Sequence, residues 1–452
     1  MNFGVSERDS GKSIIFIHRI DPIPFVDVHM KKFLLTGTLL VVVLFQLPGA
    51  THLGDFLAGI EATEIRMLQG ESIYDTILEV RIEQPLDHRN PEGGKFYQRL
   101  YISHIDPSRP VVLVTAGYDA SYYYTSEIAS ELRCNQIMVE HRYFGRSKPD
   151  SLDWNYLDTW QAASDHHRIV SMFKKLYPGN WISTGISKGG QSVIYHSFYY
   201  PEDVDVRVPY VAPLNYSLED PRIYSFLGQV GKKSERKKVN KFQMRLLKDQ
   251  ERYLPAFRQF SEQRGYTYDI AGGVEKAFEY CVLEYDFAFW QWGYVPVKDI
   301  PGRGASPREV IEHMNRVGGF DYFDDEFIAE NRPFFYQAMT EMGYYGYELK
   351  KFEGYLQHVD NPVFTFTIPP GVEVAYDPEL SLEVERYLAS DGDNFIFIYG
   401  EYDTWSATAV STTGNTNSKI FVKEKGSHRT RINNMPEDQR EEIYGMIQQY
   451  LQ

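Results

Sequence analysis

The residues of this chain that could do chemistry centre on one serine in a glycine-rich turn. Residues 185–189 are Gly-Ile-Ser-Lys-Gly, which matches the pattern G-x-S-x-G. The strand-like run 181–184 precedes the turn, and an amphipathic, helix-like segment follows it. In this context the two glycines permit a tight crossing, and the serine hydroxyl is exposed at a helix N-terminus whose free amides favour negative charge. We therefore predict that Ser187 is a nucleophile.

An aspartate and a histidine further along the chain complete the set that a serine nucleophile needs. Asp403 follows the apolar run 394–400, and His428 follows the run 419–423. An imidazole can accept the serine proton, and a carboxylate can fix the tautomer of that imidazole and stabilise its charged form. Functional groups collect beyond the C-terminal ends of strands in open α/β sheets, and the chain order Ser, Asp, His is that of α/β-hydrolases. We predict a catalytic triad of Ser187, Asp403 and His428.

Two backbone amides are expected to stabilise the oxyanion that such a reaction forms. The first is the N–H of Lys188, directly after the nucleophile. The second should come from the loop that follows the strand-like run 110–115, where Tyr118 is the best candidate. Each of these predictions depends on the sheet that positions the loops.

Alternating and fully apolar runs predict that sheet. The runs 72–82 and 96–105 alternate at period two around a turn and predict an antiparallel hairpin. Further strands are predicted at 110–115, 136–140, 181–184, 208–213, 394–400 and 419–423, with helices at 158–176 and from Pro436 to the C-terminus. Between residues 216 and 385 charged, helix-compatible segments replace the strand-like runs. We predict an α/β-hydrolase fold with a catalytic domain formed by residues 51–215 and 386–452, and a large, mainly helical cap, residues 216–385, inserted between the two parts of the sheet.

The N-terminal segment has the layout of a secretory signal peptide. Met30-Lys31-Lys32 precede the apolar run 33–45, and Pro48-Gly49-Ala50 follow it. The run is short for a membrane span. We expect Met30 to be the true initiator, residues 1–29 to be an untranslated extension, and residues 30–50 to be the signal peptide. The protein would then be secreted or periplasmic without stable membrane anchoring; a signal anchor is the alternative.

Composition and motif content exclude several other classes of function. Apolar residues make up 43% of the 452, which indicates a packed globular protein, and the net charge of −15 argues against nucleic acid and anionic membrane surfaces as partners. The chain has no H-E-x-x-H, P-loop or G-x-G-x-x-G motif, and Cys134 and Cys281 are too few for a metal framework. We expect neither a cofactor nor a metal. The two cysteines could form a disulfide or lie buried as separate thiols.

The segments around these candidates resemble secreted proline-specific serine peptidases. Residues 140–147, Glu-His-Arg-Tyr-Phe-Gly-Arg-Ser, are similar to the EHRYYG-x-S segment of that family, and residues 336–345 to the Q-x-x-TE-x-GYY stretch of its cap. Three further segments are similar to that family: the turn at Ser187 with the double glycine Gly189-Gly190, the G-x-x-D-x-W around Asp403 and the G-x-H around His428. The resemblance is strongest to the bacterial prolyl tri/tetrapeptidyl aminopeptidase type and more distant to the lysosomal Pro-X carboxypeptidase and dipeptidyl peptidase group.

Two positions depart from the pattern of the family. Lys188 stands where the lysosomal relatives have an aromatic residue, and Met339 stands where they have a cysteine, which removes a family disulfide. Neither change touches the predicted triad. Both leave open the length of the peptide that is released.

The resemblance implies cleavage of proline-containing peptides on the carboxyl side of proline, with release of short peptides (tri/tetra) from free N-termini. A proline ring needs a flat, dry slot, which a group of aromatic residues could line or could instead bury as cap core: Trp405, Trp290, Trp292 and Tyr345. Glu341 is the candidate to bind the substrate ammonium; alternatively it holds the cap together. An esterase or lipase on the same fold, and a non-catalytic binding protein on the same scaffold, are the competing functions.

Overall fold

The structure, a computed structural model, describes residues 50–60, 62–69 and 72–452. The predicted untranslated extension, residues 1–29, and all but the last residue of the predicted signal peptide lie outside the described residues. None of the helices in the described part of the chain combines the length and the apolar character needed to cross a bilayer.

Within those ranges nine strands form one mixed sheet, in the spatial order β1-β2-β3-β5-β4-β6-β7-β8-β9. The strands are β1 (Ala62–Leu68), β2 (Thr76–Pro85), β3 (Lys95–His104), β4 (Val111–Thr115), β5 (Asn135–Val139), β6 (Trp181–Ile186), β7 (Val206–Tyr210), β8 (Ile396–Gly400) and β9 (Lys419–Lys423). The strands β1, β2 and β3 pair antiparallel, and β3 pairs antiparallel with β5. From β5 to β9 all pairs are parallel. The predicted hairpin is therefore β2–β3.

The helices of the described chain cover both faces of the sheet. They are α1 (Ala50–Ala58), α2 (Glu127–Leu132), α3 (Thr159–Phe173), α4 (Lys188–Tyr199), α5 (Pro221–Leu227), α6 (Lys233–Lys248), α7 (Gln250–Arg264), α8 (Val274–Trp292), α9 (Pro307–Gly318), α10 (Asp325–Gln337), α11 (Glu379–Ser390) and α12 (Glu437–Tyr450). Residues 211–394, all of them described, contain α5 to α11 and contribute no strand. The name helical region is used below for α5 to α11.

The central strands are buried on both faces, as their continuous apolar runs predict. All five residues of β4 are buried. Val112 and Val114 pack in one apolar cluster, and Val111 and Leu113 pack in another, because successive side chains of a strand point to opposite faces. The sheet is therefore the layer between two cores.

The helical region shares a third core with the sheet. Phe397 and Tyr399 of β8 belong to the same buried cluster as Tyr285 and Phe287 of α8. This shared core ties α8 to the strand that precedes Asp403.

Parallel strands connected by helices, with a sharp turn between β6 and α4, form an α/β-hydrolase fold, so the predicted fold class is confirmed. The domain boundaries at residues 215 and 386 stay a prediction. Cys134 and Cys281 are buried free thiols in different apolar clusters, so they do not form the disulfide.

The segment 140–147 braces the loop that follows β5. The side chain of Arg142 is fully buried and forms two hydrogen bonds of 2.7 Å to the carboxylate of Asp165 on α3. It also donates to the carbonyls of Leu86 and Tyr156, at 3.0 and 2.6 Å. Burial alone would raise the pKa of Asp165, but the Arg142 guanidinium offsets this effect and holds the pKa at about 2. The pair is therefore ionised and fully hydrogen-bonded.

Asp165→Asn should destabilise the protein, because it leaves the Arg142 guanidinium buried without a counter-charge. We expect the free energy of unfolding in urea at pH 7 to fall by roughly 3 kcal/mol. The contribution of the wild-type pair is fully present above the unfolded pKa of about 3.9 and is lost as the pH falls toward 2, so the difference between variant and wild type should shrink in acid.

Glu379→Gln is the matched control, because it breaks an ion pair with Arg386 in which both side chains are more than half exposed. It should leave the unfolding free energy nearly unchanged. An Asp165→Asn protein as stable as the control at pH 7 would contradict the assigned role of the buried pair.

Candidate active site

Ser187 lies at the sharp turn between β6 and α4. Its backbone has φ 57° and ψ −121°, a conformation that is strained for a residue with a side chain. Glycine is required on both sides of it: a Cβ on Gly185 would lie 2.3 Å from the carbonyl oxygen of Gly189, and one on Gly189 would lie 2.3 Å from that of Thr115. The Ser187 N–H donates to the carbonyl of Tyr210 on β7 at 2.9 Å, which fixes the turn against the sheet.

Asp403 and His428 meet beyond the ends of two neighbouring strands. Asp403 follows β8, His428 follows β9, and the two strands pair in parallel. The Nδ1 atom of His428 is 2.7 Å from Oδ2 of Asp403, whose side chain is fully buried. The other carboxylate oxygen accepts the N–H of Trp405 at 3.1 Å. The contact between His428 and Asp403 assigns the proton of the imidazole to Nδ1 and leaves Nε2 as its basic nitrogen.

Helix α8 of the helical region holds His428 from the opposite side. The N–H of His428 donates to the carbonyl of Gln291 at 2.7 Å, and the ring of Trp292 meets the imidazole edge to face, with ring centroids 5.4 Å apart. The hydroxyl of Thr404, next to Asp403, donates to the carbonyl of Phe287 at 2.8 Å. Both loops that carry the pair are therefore fixed to one helix.

Ser187 and His428 open into the same cavity, which has a volume of about 1090 Å³. Its lining comes from the ends of the central strands and from α8, α9 and α10 of the helical region. Among the described residues, no group of three or more His, Cys, Asp or Glu side chains is arranged to hold a metal ion.

The loop that follows β4 packs on the turn at Ser187. Gly117 has φ 77°, and a Cβ there would lie 2.3 Å from the backbone nitrogen of Gly189. The next residue, Tyr118, lines the cavity, as does Lys188. The two residues predicted to supply oxyanion amides thus line the same cavity as Ser187. In addition, the Tyr118 side-chain hydroxyl is within hydrogen-bonding range of Ser187, and burial raises the pKa of that hydroxyl. Sequence reasoning considered only the backbone of Tyr118.

Three of the four candidate aromatic residues line the cavity, and one does not. Trp405, Tyr345 and Trp292 contribute to its wall. Trp290 instead lies in the core of the helical region, edge to face with Tyr402 at a centroid distance of 5.7 Å. In this structure Trp290 therefore lies in the core of the helical region, the alternative to substrate binding, and its ring does not line the cavity.

Glu341 binds the backbone at the start of a helix and does not face the cavity. It is not part of the cavity lining; its carboxylate accepts the N–H of Thr159 at 2.8 Å and so caps the first turn of α3. Burial is the main cause that raises its pKa to about 8, and nearby Asp158 adds to it. The contact with a helix terminus agrees with the alternative that Glu341 has a structural role.

A carboxylate that sequence reasoning missed faces the cavity in its place. Glu284 on α8 lines the cavity and is 5% exposed. Its Oε2 accepts hydrogen bonds from the hydroxyls of Tyr345 and Tyr347, both at 2.8 Å. Burial raises the pKa of Glu284 to about 8. The signal was Glu284 itself, one of three carboxylates, with Glu279 and Asp286, in the otherwise mostly apolar and aromatic stretch 277–290.

Comparison with known proteins gives one family match over nearly the whole described chain. The model of a family described as PS-10 peptidase S37 matches residues 54–450. The prolyl tri/tetrapeptidyl aminopeptidase of Streptomyces mobaraensis is 31% identical over 363 residues, which cover 79% of this chain and 76% of that protein. The lysosomal Pro-X carboxypeptidase of Bos taurus is 31% identical over 99 residues, 20% of each chain.

Solved structures with a similar arrangement are more distant. The crystal structure of VinJ has a TM-score of 0.40 and 10% identity, covering 86% of this chain and 98% of that one. The proline iminopeptidase of Mycobacterium smegmatis has a TM-score of 0.39 and 13% identity, covering 82% and 98%.

Asp403→Asn should abolish most turnover while the fold stays intact. The amide would present an N–H or a carbonyl to His428 and would no longer hold the imidazole in the tautomer with its basic nitrogen toward the cavity. We expect kcat to fall by about 10⁴-fold, the size of the effect in the serine protease template, with a thermal midpoint close to that of the wild type.

The control is Glu401→Gln, which removes a carboxylate from the same loop, where it accepts the N–H of Lys425 and does not contact His428. It should retain nearly full kcat. An Asp403→Asn enzyme with more than about a tenth of wild-type kcat would show that the Asp403–His428 contact does not serve catalysis.

Proposed function

This chain belongs to the PS-10 peptidase S37 family, and from that premise we propose that it cleaves peptides on the carboxyl side of proline and releases tri- and tetrapeptides from free N-termini. Membership confirms the resemblance to proline-specific peptidases drawn from the sequence motifs. The protein is a serine peptidase with an α/β-hydrolase fold.

The proposed reaction is an acyl transfer through Ser187. Nε2 of His428 takes the proton of the Ser187 hydroxyl as Oγ attacks the carbonyl carbon of proline, and Asp403 stabilises the imidazolium that forms. The N–H groups of Lys188 and Tyr118 stabilise the oxyanion. His428 then gives the proton to the leaving amine as the C–N bond breaks, and a water molecule activated by His428 hydrolyses the acyl-enzyme.

The observation that supports proline recognition is the aromatic wall of the cavity beside the Asp403–His428 pair. Trp405 comes two residues after Asp403 and lies 5.4 Å from the ring of Tyr345, which stacks on Phe287 at 3.9 Å. Rigid, apolar rings at such distances can form a flat, dry slot for a pyrrolidine ring. The rings contact each other tightly, so the slot is formed before substrate binds.

The position of the helical region supports release of short peptides rather than cleavage within long chains. It lines one side of the cavity while the loops of the triad line the other. The volume of about 1090 Å³ is slightly above the usual range for ligand sites, roughly 300–1,000 Å³, so a peptide of several residues can be accommodated. A covered cavity admits a chain end more readily than a chain middle.

Recognition of a free N-terminus requires a group that binds ammonium, and we assign this role to Glu284. It is a carboxylate in the cavity wall whose hydrogen-bond partners are neutral tyrosine hydroxyls. With a pKa of about 8 it is largely protonated at neutral pH in the free enzyme. A substrate ammonium beside it would favour the carboxylate, so binding would release a proton and form an ion pair in a place where an unpaired carboxylate is costly.

A digest of proline-containing peptides by the wild-type protein, read by mass spectrometry, tests the proposed specificity. Peptides with a free N-terminus and proline at position three or four should yield products that end in proline. The Ser187→Ala protein should yield none, because the nucleophile is gone; a loss of at least about 10⁴-fold is expected. Hydrolysis of simple acyl esters without any cleavage of these peptides would instead indicate an esterase on this fold.

Glu284→Gln tests the site for the ammonium. The variant keeps the shape of the side chain but cannot carry a negative charge, so kcat/KM for free-amine peptides should fall by about 10-fold or more while N-acetylated peptides are unaffected. Glu341→Gln is the matched control and should change both substrate types by the same factor. Equal loss on both types for Glu284→Gln would exclude an ammonium site at Glu284.

A further inference from the structure

The side chain of Lys188, directly after the nucleophile, is buried in the protein rather than directed to solvent. The residue is 2% exposed. Its Nζ donates to the carbonyl oxygen of Gly117 at 2.7 Å and lies 5.7 Å and 5.4 Å from the ring centroids of Tyr118 and Phe144. These contacts are one carbonyl and two aromatic faces, not a carboxylate. Burial accordingly lowers the pKa of the amine well below its usual value.

The carbonyl that Lys188 binds belongs to the peptide unit that carries the predicted oxyanion donor. The C=O of Gly117 and the N–H of Tyr118 are parts of one planar trans peptide, so they point in opposite directions. A hydrogen bond that fixes the direction of the carbonyl therefore fixes the direction of the N–H. It also withdraws electron density from the amide and strengthens the N–H as a donor.

The rest of the loop leaves this peptide unit with one principal freedom, rotation about its own axis. On one side Gly117 lies against the backbone of Gly189, at a distance that excludes even a Cβ. On the other side the carbonyl of Tyr118 accepts the N–H of His141 at 3.0 Å. The positions of both ends are thus fixed, and the Lys188 amine supplies the contact that orients the plane between them.

We propose that the side chain of Lys188 is a positioning residue for the oxyanion hole: its amine holds the Gly117–Tyr118 peptide so that the Tyr118 N–H points at the oxyanion. Lys188 would then contribute to both donors of the oxyanion hole. It supplies its own backbone N–H, and its side chain orients the N–H of Tyr118 through the carbonyl of Gly117. This inference rests on Ser187 as the nucleophile in the proposed function, but not on the preference for proline.

The alternative is that Lys188 only fills space between Tyr118 and Phe144. The two roles make different demands on the side chain. A filler can be replaced by any group of the same size, whereas a clamp on a carbonyl requires a hydrogen-bond donor at the end of the chain. Methionine has nearly the length and volume of lysine, is apolar and has no donor, so Lys188→Met separates the roles.

The first measurement is the rate at which a fluorophosphonate labels Ser187. In this reaction the serine oxygen bonds to phosphorus, fluoride leaves, and the phosphoryl oxygen occupies the place of the oxyanion. Lys188→Met should lower the second-order labelling rate by about 10- to 100-fold, somewhat less than the loss of an entire oxyanion donor. Its affinity for a peptide that ends in prolinol, the neutral alcohol analogue of the product, should stay within about twofold of wild type, because this ligand places no negatively charged oxygen at the oxyanion site.

Ser192→Ala is the matched control on the same helix. It removes a hydrogen bond from the Ser192 hydroxyl to the backbone carbonyl of Lys188 at 3.0 Å, but leaves the amine and Gly117 untouched. It should be labelled at close to the wild-type rate. Wild-type labelling of Lys188→Met, equal losses in labelling and in affinity for the prolinol peptide, or an equal loss in Ser192→Ala would each overturn the proposal.

A second variant covers the case in which Lys188→Met does not fold. Lys188→Ala opens a space beside the cavity into which n-propylamine fits in place of the missing side chain. Added n-propylamine should restore labelling of this variant, whereas ethyl methyl sulfide, which has the same number of non-hydrogen atoms and no donor, should not. Absence of amine rescue overturns the proposal. If the wild-type protein is labelled but cleaves no proline peptide, only the proposed specificity fails. If the wild-type protein is not labelled, the nucleophile and the role of Lys188 fail together.

Discussion

The geometry of the site depends on a contact between backbones that leaves no space for side chains. The loop after β4, the end of β6 and the start of α4 meet at Gly117, Gly185 and Gly189, where any Cβ would lie 2.3 Å from a backbone atom of a neighbour. This close approach forces Ser187 into its strained conformation, and the hydrogen bond from its N–H to Tyr210 maintains it. A side chain at any of the three glycines would push the elbow away from the loop that carries Tyr118.

Buried charged groups hold the loops around this contact in place. The carboxylate of Glu140 accepts the N–H of Ala120 at 2.9 Å, the N–H of Arg146 at 2.9 Å and the hydroxyl of Ser147 at 2.6 Å. It thereby connects the loop after β4 to the loop after β5, as the pair of Arg142 and Asp165 connects the latter to α3. Burial of such charged groups adds little to the stability of the fold. However, any other arrangement of the loops would leave a buried charge without its hydrogen bonds, which is strongly unfavourable, so the network selects one arrangement. The motif at 140–147, read from sequence as a family marker, has this structural role.

Helix α8 makes the helical region a part of the candidate active site rather than only its cover. In its last turns, the carbonyl of Gln291 binds the loop that carries His428, and the carbonyl of Phe287 binds the loop that carries Asp403. One turn earlier, Glu284 lines the cavity. The orientation of His428, part of the aromatic wall and the position of Glu284 thus all depend on one helix, and a displacement of α8 would alter all three together.

The sequence by itself determined eight of the nine strands of the described chain, missing β1, together with the order of Ser187, Asp403 and His428 at the strand ends, and the family. Strands are encoded by local runs of apolar residues, and the ends of parallel strands necessarily meet at one edge of a sheet. The signal peptide rests on sequence alone and stays a prediction. Only the tertiary structure decided which side chains face the cavity. Trp290 and Trp292 are two residues apart on α8, and at about 100° per residue their side chains point to nearly opposite sides, so one packs in the core and the other reaches His428. The rotation of a helix about its axis is set by all its neighbours together, which is why sequence could not choose between the tryptophans, or find that Glu284 and the amine of Lys188 point inward.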